Sequence, residues 1–420
     1  MTFRHTNIKR RVSEKSGIRR LVFSGDKFST FAHQNLICMI EKVKIENFKS
    51  VQDLELELGR VNVFIGENGC GKTNVLEAIA MGSAAVENKV DNEFLSARGV
   101  RVTDSEFMLS AFGPKSKNDE ILVSFSDRND NQLTTQMESV GPKWVVFLAN
   151  GKGMEDSIPS MAIELEPRIF NQFDKSSNPN EALEKLVRVL NSLKIFVENS
   201  KFSPFLIFAP ENSKLRQFLE EGQILPLGIG GEGLFKHLVT LFREEPEAFE
   251  KIKKQLEIID WFEGLEIPKD LMFTERRVNI KDRFLHPSLQ YFDQRSSSEG
   301  FLYLLFYFTL FISDSTPKFF AIDNIDNALN PKLCSKLIET LAQLAKEHDK
   351  QVIVTTHNPA ILDGLNLADD DQRLFVIYRN ADGHTVAKRV QKKEQVNGVE
   401  SVRLSEAFIR GYLGGLPKNF

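Results

Sequence analysis

The stretch "VNVFIGENGCGKTNVLEAIA", residues 61–80, decides the fold. Its first five residues read as a buried strand of a parallel sheet, rich in β-branched side chains. A glycine-rich turn follows, and "TNVLEAIAMGSAA" then reads as a helix. Strand, tight loop and helix in that order frame a phosphate site. Residues Gly66 to Thr73 fit G-x-x-x-x-G-K-[ST] in full. Glycines let backbone N–H groups close around a β-phosphate, and the helix N-terminus adds positive potential. The cradle is expected from Asn68, Gly69, Cys70, Gly71, Lys72, Thr73 and the following Asn74. Lys72 supplies a point charge for the β- and γ-phosphates, and Thr73 a hydroxyl for Mg²⁺, so ATP and Mg²⁺ are the expected ligands. A glycine turn with an incidental lysine would not need the flanking strand and helix.

Downstream, "KFFAID" is an apolar strand that carries Asp323 out of the sheet toward the metal of Thr73. Thr73 and Asp323 are thus the expected metal pair. The next residue, where a water-activating carboxylate would serve hydrolysis, is Asn324. An amide cannot take a proton from water at neutral pH. The nearest acid is Asp326. Were the strand to run on that far, Asp326 would share a face with Asn324 but lie about 7 Å further along. His357 ends the strand "VIVTT" and stands where it can reach a γ-phosphate. In "RSSSEGF", residues 295–301, Ser298 reads as a helix N-cap with Glu299 in the first turn, and the loop could also hold a phosphate.

The order of these parts resembles ABC-type ATPase heads. "IENFKSVQDLELELGRVNVFIGENGCGKTNVLEAIA" resembles the start, and "AIDNIDNALNP" with "VIVTTHNPAIL" the end, of the SMC/RecF/OLD-like ATPases. The resemblance covers roughly 39–84 and 286–365. It implies an α/β P-loop fold of ABC-head type and a head-to-tail pairing with a second copy of the same chain. Ser298 and Gly300 would then meet the γ-phosphate of ATP held by the partner subunit. Lys72, Asp323, Asn324 and His357 would form the catalytic set. Three features depart from the family pattern. Asn324 replaces the catalytic Glu, "SSSEG" replaces Leu-Ser-Gly-Gly, and no glutamine stands out as the link between metal and arm. The resemblance also implies a separate effector, a nuclease, because about 55 residues after "NPAILDGL" are too few for a TOPRIM domain. Small ATPases of this kind resemble sensor or scaffold subunits in antiphage defence. A RecF-like repair protein that binds DNA and hydrolyses ATP through Asp326 or another carboxylate is the alternative.

The chain has 420 residues, a net charge of −4 and 34 Phe, read here as core packing. Its charge points neither to nucleic acid nor to a membrane. Cys38, Cys70 and Cys334 form no CxxC pair, which fits a reducing cytoplasm. "FLYLLFYFTLFI", 301–312, is too short to span a bilayer and reads as a buried helix. Four segments are expected. Residues 1–38 are a basic extension, disordered, upstream of the true start, or a nucleic-acid arm. Residues 39–84 form the first head lobe, 85–285 an inserted arm of β-hairpins and helices, and 286–420 the second head lobe. "LGIGGEG", 227–233, follows no clear strand and reads as a loop capping the helix from Leu234. "ERRVNIKDR" and "KRVQKKEQ" read as solvated charge runs, the places to seek DNA contacts.

Overall fold

The computed structural model describes residues 39–112, 120–129, 131–140, 143–150, 158–159, 205–217, 226–268, 277–391 and 402–415. The expectations for 1–38 and for part of the arm at 85–285 lie outside these residues. In chain order the first strands are β1 (Ile40–Phe48), β2 (Val51–Glu57) and β3 (Val61–Ile65). Helix α1 (Lys72–Val86) and short helices α2 (Asn92–Ser96) and α3 (Ser105–Met108) follow. Strands β4 (Glu120–Asp127), β5 (Gln132–Val140), β6 (Lys143–Asn150), β7 (Ile158–Pro159) and β8 (Leu206–Phe208) come next. Then come α4 (Asn212–Gln217), α5 (Leu234–Glu244), α6 (Pro246–Leu256), β9 (Phe262–Glu266), β10 (Asn279–Asp282) and β11 (Phe292–Asp293). The chain continues through α7 (Glu299–Ile312), β12 (Phe319–Ile322), α8 (Pro331–Glu347) and β13 (Gln351–Thr356). It ends in β14 (Gln372–Arg379), β15 (Thr385–Val390) and α9 (Leu404–Ile409).

The central sheet has the order β15-β14-β3-β13-β12-β8. All its neighbours are parallel except β14 and β15. Every residue of β3, β8, β12 and β13 is buried, which is why these strands read as apolar runs rather than alternating ones. The pleat sends Val61, Val63 and Ile65 into one core and Phe64 into another. The first core is built around α7, whose residues 301–312 are all buried. The second holds α1 against an antiparallel sheet of order β2-β1-β4-β5-β6-β7.

Strand β4 pairs with β1, with Ile45 opposite Val123, so the strands of 120–150 extend the sheet that the first lobe begins. Strand β8 pairs with β12 and forms an edge of the central sheet. Helices α5 and α6 pack into the core around α7. An alternating strand shows in sequence that it has a buried face, but not which strand lies beside it. The single helical stretch expected from 234 is two helices, broken where Pro246 cannot donate to the preceding turn.

His237 of α5 is buried, with Nε2 2.8 Å from Ser313 Oγ at the end of α7. Lys350 Nζ donates to Ser313 O at 2.7 Å. Burial, and then the charge of Lys350, push the His237 imidazole from 6.5 down to about 4. The unfolded chain takes this proton near pH 6.5, and the folded chain only near 4. The stability it contributes is therefore present above pH 6.5 and lost on acidification toward pH 4, by about 3 kcal/mol.

Two outcomes follow. Urea midpoints should fall between pH 6.5 and 4, and His237→Gln should flatten that slope while lowering stability at neutral pH. Gly82 lies in α1 where an added Cβ would stand 2.7 Å from Val123 of β4. Gly82→Val should destabilise the whole head by about 1–3 kcal/mol in denaturant titration. An unchanged midpoint would mean that β4 does not pack against α1.

A candidate nucleotide site at the sheet edge

The loop 66–71 turns between β3 and α1, with Gly69 at φ 74° and Gly71 at φ 105°. At Gly71 a Cβ would lie 2.0 Å from Thr385 Oγ1, so no larger residue fits without displacing that contact. The loop is also tied from behind. Thr385 Oγ1 donates to Cys70 O at 2.9 Å and lies 2.7 Å from Ser50 Oγ. Arg379 Nε donates to Gly69 O at 2.9 Å, with the guanidinium 4.9 Å from the Phe112 ring. These bonds take up two loop carbonyls and fix the turn before any ligand arrives.

Lys72 is buried and donates to Gly66 O at 2.9 Å and Glu67 O at 3.0 Å. Its Nζ stands 3.5 Å from His357 Nδ1. Burial lowers the pKa of Lys72. Burial, and then the Lys72 charge, lower that of His357 and keep the imidazole neutral at pH 7. Cys70 is buried and its thiol is pushed up by that burial, so it serves as packing under the loop. Asn68 and Gly69 are exposed at the loop's outer edge.

Asp323 follows β12 directly and is held at both oxygens. Thr73 Oγ1 donates to Oδ2 at 3.2 Å, and Thr355 Oγ1 donates to Oδ1. A hydroxyl and a carboxylate side by side are hard oxygen donors that fit Mg²⁺. Among the described residues no cluster of three or more His, Cys, Asp or Glu could hold a metal alone. Mg²⁺ characteristically completes such a pair with waters and substrate phosphates.

Beyond Asp323 the strand does not run on to 326, which corrects the expected 7 Å displacement. The chain turns at Asn324, φ 56°, and wraps around the end of β13. Asn324 N donates to Thr355 Oγ1 at 2.9 Å, and Ile325 N to Thr355 O at 3.1 Å. Asp326 Oδ1 then accepts from Thr356 Oγ1 at 2.6 Å. Asn tolerates the left-handed conformation, whereas Glu at this φ would cost about 1 kcal/mol.

Ser298 caps α7, its Oγ accepting from Phe301 N at 3.4 Å, and its side chain is exposed. A Cβ on Gly300 would meet Ala328 O at 3.0 Å, so this glycine lies against the turn that follows Asp326. The loop before α7 is held by Arg216, whose Nη1 donates to Arg295 O at 2.6 Å and Ser297 O at 2.9 Å. A cleft of about 720 Å³ opens beside Ser298, walled by Ile259, Trp261 and Leu333.

Sequence reading missed several residues. Glu77 of α1 is fully buried and binds Lys49 Nζ at 2.7 Å and Arg101 Nε at 2.6 Å. Arg101 Nη2 in turn donates to Asn74 Oδ1 at 3.0 Å, which sets a guanidinium beside the P-loop helix. A lone acid inside "TNVLEAIAMGSAA" was the available signal. Thr355, Thr356 and Arg216 carried none. The two charge runs are partly engaged. Arg389 pairs with Asp370 at 3.0 Å and Lys281 with Glu266 at 2.7 Å. The loop 227–233 ends at Gly233, the cap of α5, as expected.

A six-stranded sheet with this loop, an acidic residue after β12 and a histidine after β13 defines an ABC-type ATPase of the SMC/RecF/OLD-like group. The chain belongs to the family described as "AAA domain, putative AbiEii toxin, Type IV TA system", matched over residues 61–363. It is 36% identical over 103 residues to an uncharacterized protein of Methanocaldococcus jannaschii, covering 23% of this chain and 46% of that one. It is 44% identical over 55 residues to the DNA replication and repair protein RecF of Listeria welshimeri, covering 13% and 15%. The chain thus spans less than half the length of these relatives. The OLD nuclease of Thermus scotoductus is 19% identical over 403 residues, covering 86% of this chain and 68% of that one. Among solved structures, an SMC head bound to the C-winged helix domain of ScpA superposes with a TM-score of 0.53 at 15% identity, covering 84% and 98%. That likeness concerns the fold alone. No helix among the described residues is long and apolar enough to cross a membrane.

Lys72→Met should abolish nucleotide binding in a fluorescence titration without lowering the melting temperature, because it removes a buried cation whose partners are neutral groups, the loop carbonyls, the Cys70 thiol and the His357 ring. Glu77→Ala should do the opposite in stability, costing about 1–3 kcal/mol by leaving the largely buried Lys49 without its carboxylate. An equal thermal loss in both variants would contradict this division.

Proposed function

We propose that this chain is an ATP-operated clamp. Two copies close head to tail on ATP and Mg²⁺, and the closed pair regulates a separate effector protein, a nuclease, in antiphage defence. The observation that carries the reading is the convergence of Lys72, Thr73, Asp323 and His357 at one end of the parallel sheet. Ser298 and Gly300 lie at the start of α7, and among the described residues they make no side-chain hydrogen bond to the loop 66–71. A partner's signature loop would supply what the half-site lacks.

In this reading Lys72 leaves the carbonyls of Gly66 and Glu67 for the β- and γ-phosphates. Thr73 and Asp323 would hold Mg²⁺, which supplies charge neutralisation of the triphosphate when bound. Arg101 offers a further cation on the Asn74 side. Hydrolysis is slow because the residue after Asp323 is an amide with no basic oxygen of carboxylate strength. A clamp that fires slowly stays shut, and linkage couples nucleotide to partner binding. The effector reading draws on the family description and the OLD nuclease relative. The RecF relative motivates the alternative, a repair ATPase that loads onto DNA.

Light scattering with ATP and Mg²⁺ should find a dimer, and Ser298→Arg should leave it monomeric while still binding ATP. Turnover should be slow but well clear of the Lys72→Met background. Asn324→Asp should raise it at least about tenfold by placing a carboxylate where the left-handed backbone accepts it. Asn324→Glu should gain less, because that backbone disfavours it. A monomer at saturating ATP, or fast wild-type turnover, would sink the clamp. Tight, salt-dependent DNA binding would favour the repair reading.

A further inference from the structure

Four carboxylates belong to the P-loop, to the turn after β12 or to the signature loop. Asp323 has both oxygens engaged by the Thr73 and Thr355 hydroxyls. Glu67 sits in the P-loop, where its carbonyl accepts from Lys72. Glu299 lies in the first turn of α7, on the signature side. Asp326 differs from all three. One of its oxygens is fixed and the other is not.

The fixing is directional. Asn358 N donates to Thr356 Oγ1 at 2.9 Å, so the hydroxyl proton is sent on to Asp326 Oδ1 at 2.6 Å. The main chain on the near side is pinned as well. Ile325 is buried, its N–H bonds Thr355 O at 3.1 Å, and Tyr307 donates its hydroxyl to Ile325 O at 3.3 Å. Thr356 directly precedes His357, whose ring meets Lys72. Asp326 is half-buried, and among the described residues its Oδ2 accepts no hydrogen bond. A carboxylate with one oxygen locked, the other open, beside the strand end that carries the phosphate-facing histidine, has the form of a general base.

We propose that Asp326 is the general base of the slow turnover, an inference that rests on the clamp reading above. Oδ2 accepts a hydrogen bond from a water. As the water oxygen forms its bond to the γ-phosphorus, its proton passes to Asp326. The bond from that phosphorus to the β,γ-bridging oxygen breaks, and the electron pair leaves with ADP. Inorganic phosphate and ADP result, and Asp326 returns its proton to solvent. Asn324 is a bystander to this step, set in place by its backbone.

The test compares Asp326→Asn, Asp326→Glu, Thr356→Val, Glu67→Gln and Glu299→Gln with wild type. Single-turnover hydrolysis is read beside ATP affinity, ATP-dependent dimerisation and trapping of ADP with aluminium fluoride. Asp326→Asn should fall to the Lys72→Met background and lose the trapped complex, while ATP affinity stays within about threefold and the dimer persists. Asp326→Glu should retain part of the rate. Thr356→Val, which leaves the carboxylate but frees it, should slow turnover about tenfold. The inference is overturned if Asp326→Asn keeps the wild-type rate. It is overturned equally if that variant loses ATP affinity in proportion, if Glu67→Gln or Glu299→Gln alone abolishes turnover, or if wild type never exceeds Lys72→Met. Each of these leaves ATP-dependent dimerisation to be judged by itself. A wild type that stays monomeric with ATP defeats the clamp instead.

Discussion

The end of β13 holds the site together. Two adjacent threonine hydroxyls there bind the turn that follows β12: Thr355 takes Asp323 Oδ1 and Asn324 N, and Thr356 takes Asp326. The next residue, His357, reaches Lys72. Strand pairing of β12 with β13, Ile322 opposite Val354, brings these groups into register before any side chain is chosen. Parallel pairing with β3 on the other side of β13 brings in the P-loop, with Ile65 opposite Thr356. Three neighbouring parallel strands therefore end together, and the chemistry sits on the loops that leave them.

Such a site needs a rigid floor, and both cores serve it. On one face α7 is buried over all of 301–312, and its Tyr307 hydroxyl reaches up to the Ile325 carbonyl under the turn. Full burial pushes that phenol's pKa well up, so it stays a neutral donor. On the other face α1 lies so close to β4 that only glycine fits at position 82. The same helix carries Lys72 and Thr73 at its N-terminus and Glu77 one turn later, so packing of its apolar side sets the position of its polar end.

Buried charge is used in two ways. Glu77 is fully paired, with Lys49 and Arg101 on its two oxygens, and behaves as a structural anchor. Lys72 has loop carbonyls for partners and a depressed pKa from burial. A buried cation held by neutral dipoles is poised to exchange them for an anion of higher charge, which a triphosphate provides. Gly300 packs on Ala328, two residues before Asn330, the cap of α8. The loop that opens α7 and the turn bearing Asp326 are thus in contact within one copy.

What the sequence determined by itself is local. The phosphate loop, the strands β3, β12 and β13, the buried helix at 301–312 and the cap at Ser298 all follow from short-range rules, because glycine spacing, apolar runs and capping residues act within a few positions. The positions of Lys72, Thr73, Asp323 and His357 were legible for the same reason. The tertiary structure decided the rest. It joined β4 to β1 and β8 to β12, pairings between segments far apart in the chain that no periodicity encodes. It placed Arg101 beside Asn74 through a buried Glu77. And it turned the chain at Asn324, so that Asp326, remote by strand geometry, folds back onto Thr356. A single left-handed residue redirects every side chain after it, and whether the backbone takes that conformation depends on hydrogen bonds from another strand.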